Sequence, residues 1–178
     1  MQKKAELMRS PWRIMGWSFA GLLLLLPLVA MQFTEEVNWD ETDFIVMGAL
    51  IGAVGLGIEY FVRTSTSLAY RFGAAVALLA VLLTIWVNLA VGMIGSEDNP
   101  YNLLFGGVIL LAIFGASILR FSPCGMAGVM LVAGIVQIAV SAAGLSLDWR
   151  GGVFSLFFAL PWWVSAGLFR LSARSESV

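Results

Sequence analysis

Residues 71–95 read RFGAAVALLAVLLTIWVNLAVGMIG, and no charged residue follows Arg71 in that stretch. A helix needs about 20 mostly apolar residues to cross roughly 30 Å of hydrocarbon. This run supplies them. Backbone groups inside lipid must find their partners within the structure that spans it, which leaves helices and closed barrels. The alternation of barrel strands is missing, so the run reads as a helix. Working outward from it, five further stretches meet the same test, at about residues 11–33, 44–62, 100–120, 123–146 and 151–170. The chain reads as an all-α integral membrane bundle of six transmembrane helices, forming a single transmembrane helical domain over residues 1–178.

Composition agrees. Of 178 residues, 60% are hydrophobic and 12% charged, with a formal net charge of −1. Soluble domains are about 25% charged. Disorder is excluded, because it needs low hydrophobicity and high net charge. No basic excess exists to neutralise phosphates, so no nucleic-acid partner is expected. Cys124 is alone and cannot form an internal disulfide. With no histidine in the chain, imidazole-held haem and the common zinc sites are unavailable. No cofactor is expected.

The helix starts carry local signals. Ser10-Pro11, Asn99-Pro100 and Ser122-Pro123 each place a side-chain oxygen at the N-cap and proline at the first helical position. The oxygen accepts from an orphan backbone N–H, and proline has none to lose there. Asp40 or Thr42 would cap the second helix and Asp148 the sixth. Pro27 and Pro161 fall inside the first and last spans, where each frees the carbonyl four residues earlier, Leu23 and Phe157. Glycines at positions 48, 52, 55 and 57 permit close helix approach. They mark the second span as the expected central helix.

Charge sorted by loop sets the orientation. Lys3, Lys4, Arg9, Arg13, Arg63, Arg71, Arg120, Arg170 and Arg174 fall on one side, nine of the ten bases, and only Arg150 lies opposite. The opposite loops carry Glu35, Glu36, Asp40, Glu41, Asp43, Glu97, Asp98 and Asp148, eight of the eleven acids. Basic loops stay cytoplasmic, which predicts both termini inside (N-in, C-in) and an even number of spans. Trp12, Trp39 and Trp149 suit the interfacial belts. The basic start also fits a secretory leader. The length of the first apolar run, and Leu28-Val29-Ala30 as a poor small-x-small site, favour a span.

Polar groups within spans are expensive and default to a functional hypothesis. Glu59 lies four residues before Arg63, the favourable order for a helix ion pair. It reads either as a local anchor or as a proton or cation site. Asn88 lies toward the outer part of the third span beside Trp86. Gln137 is near mid-depth in the fifth, with Ser141 one turn outward. Each reads as an interhelical packing contact or, if they share one interior, as part of a polar path walled by Trp86, Trp162 and Trp163. Asp40, Asp43, Glu97 and Asp98 form a candidate outer acidic surface. Such oxygens suit Ca²⁺ or Mg²⁺, but the spacing lacks the glycine and terminal glutamate of a calcium loop, so no metal site is assigned. Solvation and helix capping are the simpler roles.

No Ser-His or Cys-His pair, no HExxH and no phosphate-binding Gly-Lys-Ser/Thr loop is present, and no lysine lies within a span. No catalytic residue is assigned and no enzyme is expected. Trp86-Val87-Asn88-Leu89-Ala90-Val91-Gly92, continuing through Ser96-Glu97-Asp98-Asn99-Pro100, and Asp43-Phe44-Ile45-Val46-Met47-Gly48 resemble small bacterial polytopic membrane proteins of unknown activity. That resemblance covers roughly residues 37–145. It implies a bacterial inner-membrane location and carries over no site residue. The leading expectation is a transporter- or channel-like protein for an ion or small solute. The alternative is a non-transporting module that binds lipid or quinone or serves as an accessory or scaffold subunit. Its partners would be the lipid bilayer and either a second copy or another membrane protein.

Overall fold

A computed structural model describes residues 11–175. Among these residues the chain is all-helical, with six segments long and apolar enough to cross a membrane. The helices are α1 (Pro11–Ala30), α2 (Glu41–Thr64), α3 (Leu68–Ala90), α4 (Leu103–Ile118), α5 (Pro123–Gly144), α6 (Trp149–Leu156) and α7 (Ala159–Ser175). A 3-10 turn, Pro100–Asn102, leads into α4, and α6 with α7 makes the last membrane-length segment.

The caps follow the local chemistry. Asn99 accepts from Tyr101 N–H, Ser122 from Gly125 N–H and Asp148 from Arg150 N–H. Ser67, not singled out in the sequence, caps α3 through Tyr70 N–H. Asp40 and Asp43 each accept the other's backbone N–H at 3.0 Å. This is a reciprocal capping box around the first turn of α2. Ser10, Lys3, Lys4 and Arg9 lie outside the described residues.

The chain divides into two compact units, Met1–Gly57 and Ile58–Val178. In the first, α1 runs unbroken through Pro27 and none of its residues is buried. α1 and the first part of α2 run antiparallel. A methyl on Gly55 would meet the Trp17 ring at 2.8 Å, and one on Gly48 would meet Leu24 at 3.6 Å. The glycines of α2 thus serve as seats for α1. Along this helix Phe61, which lies in the second unit, is the buried residue. Small residues permit close approach on the face that carries them.

The core lies in the second unit. α7 packs between α3 and α5. Ser172 donates to Ser67 Oγ at 2.9 Å and Ser165 to the Gly73 carbonyl at 2.8 Å, which sets an antiparallel register between α7 and α3. Tyr70 meets Phe169 edge-on at 4.9 Å. On α5, Gly134 is the seat of the Trp163 indole. α4 and α5 approach at Gly115, where a methyl would meet Val129 at 3.0 Å. Trp162, Phe105 and Phe169 are fully buried, while Leu110, Phe114, Leu131, Ile135 and Leu160 face outward. An apolar exterior over a small-residue core is what lipid as solvent selects.

Where span bounds differ from the sequence reading they do so by two to five residues, and three places show why. The first helix stops at Ala30, and residues 31–33 form a turn. The third stops at Ala90 rather than near Gly95, because Gly92 and Gly95 both take φ of 75°, which ends regular helix. The last segment breaks at Phe157 and Phe158.

Candidate functional site

The break in the last segment organises the site. Pro161 has no N–H to give the Phe157 carbonyl, and that carbonyl instead accepts from Leu160 at 3.1 Å. Two residues earlier, the Ser155 carbonyl accepts from Phe158 N–H at 3.2 Å. It also receives a side chain from another helix, since Gln137 Nε2 on α5 donates to it at 3.1 Å. The amide orientation follows from this partner, because a carbonyl oxygen offers nothing to an amide oxygen. Gln137 Oε1 is then left without a partner.

Four more buried polar atoms share that state. They are Ser141 Oγ one turn above Gln137, Trp162 Nε1 on α7, and Thr84 Oγ1 and Asn88 Oδ1 on α3. Gln137, Ser141 and Trp162 are 0% exposed and Thr84 is 1% exposed. Asn88 is half-buried, and its Nδ2 donates to the Thr84 carbonyl at 2.7 Å. The Ser165–Gly73 contact gives the depth. Thr84 lies about 16 Å beyond Gly73 along α3, and Ser155 about 15 Å beyond Ser165 along the last segment, at 1.5 Å per residue. Thr84, Ser155 and Gln137 therefore lie at one level of the bundle. Asn88 and Ser141 lie one turn further along, whereas Trp162, about 5 Å beyond Ser165, stops about 11 Å short of that level. Each unpaired buried group costs about 1–3 kcal/mol, so the four on α3 and α5 call for an occupant or a role.

A folded loop closes the acidic end above this layer. Asn102, itself buried, accepts Ile94 N–H at 2.9 Å and donates to the Ser96 carbonyl at 2.8 Å. Asn99 Nδ2 donates to the Ile94 carbonyl at 3.0 Å. Tyr101 Oη donates to the Val140 carbonyl at 2.7 Å, tying the loop to α5. Asp148 Oδ2 accepts Gly95 N–H at 3.0 Å, tying it to the start of α6. The Gly95 N–H, with those of Gly151 and Arg150, holds the Asp148 carboxyl below its ordinary range. Met93 and Ile94 are buried beneath the loop, and a methyl on Gly144 would meet Ile94 at 2.7 Å.

The other sequence candidates fall elsewhere. Glu59 is bonded to Arg63 at 2.7 Å, with 17% of its side chain exposed. Its neighbours Tyr60 and Phe61 line a cleft at the arginine-rich end together with Pro123. From Pro123, Gln137 is about 21 Å up α5. Glu59 thus does not join Asn88 and Gln137 in one layer. Asp40 and Asp43 are occupied in helix capping, Glu97 and Asp98 are exposed, and no cluster of three metal-ligating side chains occurs among the described residues. Trp162 is buried with its indole N–H unpartnered, and Trp163 sits over Gly134.

Thr84 and Ser155 were not singled out in the sequence. Spacing held one signal for Thr84, since it precedes Asn88 by one turn as Gln137 precedes Ser141. No family model, curated protein or solved structure matches this chain.

Proposed function

We propose that this chain is a multi-pass protein of the bacterial inner membrane, both termini cytoplasmic, that carries or conducts a small polar solute or ion through the layer around Gln137. The observation that carries the reading is the set of five unpaired buried polar atoms on α3, α5 and α7. Four are oxygens of uncharged side chains and one is an indole N–H. Such a set suits a neutral solute with donors and acceptors, or a partly hydrated monovalent cation. The charge asymmetry of the loops supports the orientation.

The test is flux in proteoliposomes containing the full chain, followed by stopped-flow light scattering with urea and glycerol and by ion-sensitive dyes with Na⁺, K⁺ and H⁺. Flux of at least one of these should exceed that of protein-free liposomes. Gln137→Leu should lower it about tenfold, the equivalent of an interhelical hydrogen bond worth 1–2 kcal/mol. Rates equal to protein-free liposomes across the set overturn the reading.

The second reading, a non-transporting lipid-binding or accessory module, is favoured by α1. That helix contains no buried residue, which leaves it available to lipid or to another subunit.

A further inference from the structure

The turn between α4 and α5 holds residues in a conformation that their side chains disfavour. Arg120 and Phe121 have φ of 53° and 56°, the only positive values outside glycine among the described residues. The turn ends α4 as a Schellman motif. Phe121 N–H reaches back to the Ala116 carbonyl at 2.9 Å and Arg120 N–H to that of Ser117 at 3.0 Å. Arg120 occupies the left-handed position, which glycine takes without steric cost. A residue kept there against that preference points to a role for its side chain.

Arg120 borders a cleft of about 260 Å³, together with Tyr60 and Thr64 from α2, Tyr70 from α3, and Phe121. The walls are ordered. Tyr70 Oη donates to the Phe121 carbonyl at 2.6 Å, and the Phe121 ring meets Phe61 edge-on at 5.7 Å. Thr64 Oγ1 donates to the Tyr60 carbonyl at 3.0 Å, which leaves its oxygen lone pairs for a donor. Tyr60 is 52% exposed. The nearby carboxylate, Glu59, is bonded to Arg63. The volume falls below that of pockets for drug-sized ligands and suits a head group rather than a whole lipid. Guanidinium binds phosphate through charge-assisted, bidentate hydrogen bonds, and basic pockets between spans at the cytoplasmic face bind anionic head groups.

We infer that this cleft holds the phosphate of an anionic phospholipid head group, with Arg120 as the charged ligand and Tyr60 as a hydroxyl donor at the rim. The inference rests on membrane insertion as proposed above but not on transport. The test uses the full chain in detergent, comparing thermal stabilisation by phosphatidylglycerol, phosphatidylcholine and inorganic phosphate. Retained lipid is then counted by native mass spectrometry. Wild type should prefer phosphatidylglycerol over phosphatidylcholine by about fivefold for its one arginine contact.

Arg120→Gly should fold at least as well without lipid, since it relieves the turn, and should lose the preference. Arg120→Lys should retain most of it. Arg120→Gln, close in size and uncharged, is the second variant should the glycine variant misfold, and should also lose it. An unchanged preference in both uncharged variants overturns the inference. So does equal stabilisation by inorganic phosphate, which would mark a soluble phosphate site instead. A chain that moves no solute yet keeps an Arg120-dependent preference leaves the inference standing and removes the transport reading alone.

Discussion

The first and last membrane-length segments each contain an internal proline, yet they behave differently. α1 passes Pro27 without a break and contains no buried residue. The last segment breaks ahead of Pro161 into α6 and α7, and 39% of its most apolar stretch is buried. Proline removes the same donor in both. In the last segment the Phe157 carbonyl, which Pro161 cannot serve, accepts Leu160 N–H instead, and at the break Gln137 also reaches the Ser155 carbonyl from α5. Around Pro27 the helix end is closed locally, by Met31 N–H on the Pro27 carbonyl at 2.9 Å and by Gln32 Nε2 on the Leu28 carbonyl at 3.4 Å. Breaks in lipid persist where protein re-satisfies the freed groups. A proline in a span thus permits a break without requiring one, since the same missing donor accompanies a break in one segment and none in the other.

Packing gives the sharpest way to break this contrast. Gly134→Leu forces a side chain into the space of the Trp163 indole and should cost about 2–3 kcal/mol, as overpacking does. Gly21→Leu on α1 meets nothing within 4 Å and should stay within about 0.5 kcal/mol. Unfolding of both variants in mixed micelles with increasing SDS checks the pair. Equal losses would mean that α1 is as tightly held as the last segment.

A more local effect is expected at the closed acidic end. The Asp148 carboxyl lies below its ordinary value of 3.8 in the folded chain. A group with a depressed folded pKa stabilises fully above its unfolded value and loses that contribution as pH falls through the folded one. The loop contact should therefore hold from neutral pH to about 5 and weaken below about 3.8. Amide exchange of Gly95, corrected for intrinsic rates, should accelerate over that interval, and Asp148→Ala should show the accelerated rate at every pH. A Gly95 amide indifferent to both would remove Asp148 as the tie between the loop and the last segment.

The smallest effect belongs to Glu59. Its bond to Arg63 is a helix pair worth about 0.2–0.5 kcal/mol. Glu59→Gln should lower stability by that much and change proteoliposome flux less than about twofold. A large loss of flux would extend the polar layer to the arginine-rich end and place Glu59 on the path.

Much of the scaffold was legible because its signals are local. Asn99-Pro100 and Ser122-Pro123 start helices as their chemistry requires, and Asp40 and Asp148 cap as expected. Gln137 and Ser141 stood out because a polar residue in an apolar run is visible without tertiary information. Glu59 stood out for the same reason, but composition does not report depth shared between helices. Thr84 was passed over because threonine is common in apolar helices and its hydroxyl usually finds a carbonyl one turn back. The role of Asn102 also escaped notice, since its partners Ile94 and Ser96 lie across a turn made by Gly92 and Gly95.

By itself, the sequence determined the number of apolar spans, most of their starts, and the segregation of acids from bases. These depend on hydrocarbon thickness, N–H capping and loop charge, all properties of contiguous residues. Only the tertiary structure decided which helices pack together in the second unit, where the last segment breaks, and which polar atoms remain unpaired. Each depends on what a neighbouring helix presents at the same depth. For Gln137 that is a carbonyl on one side of its amide and no partner on the other.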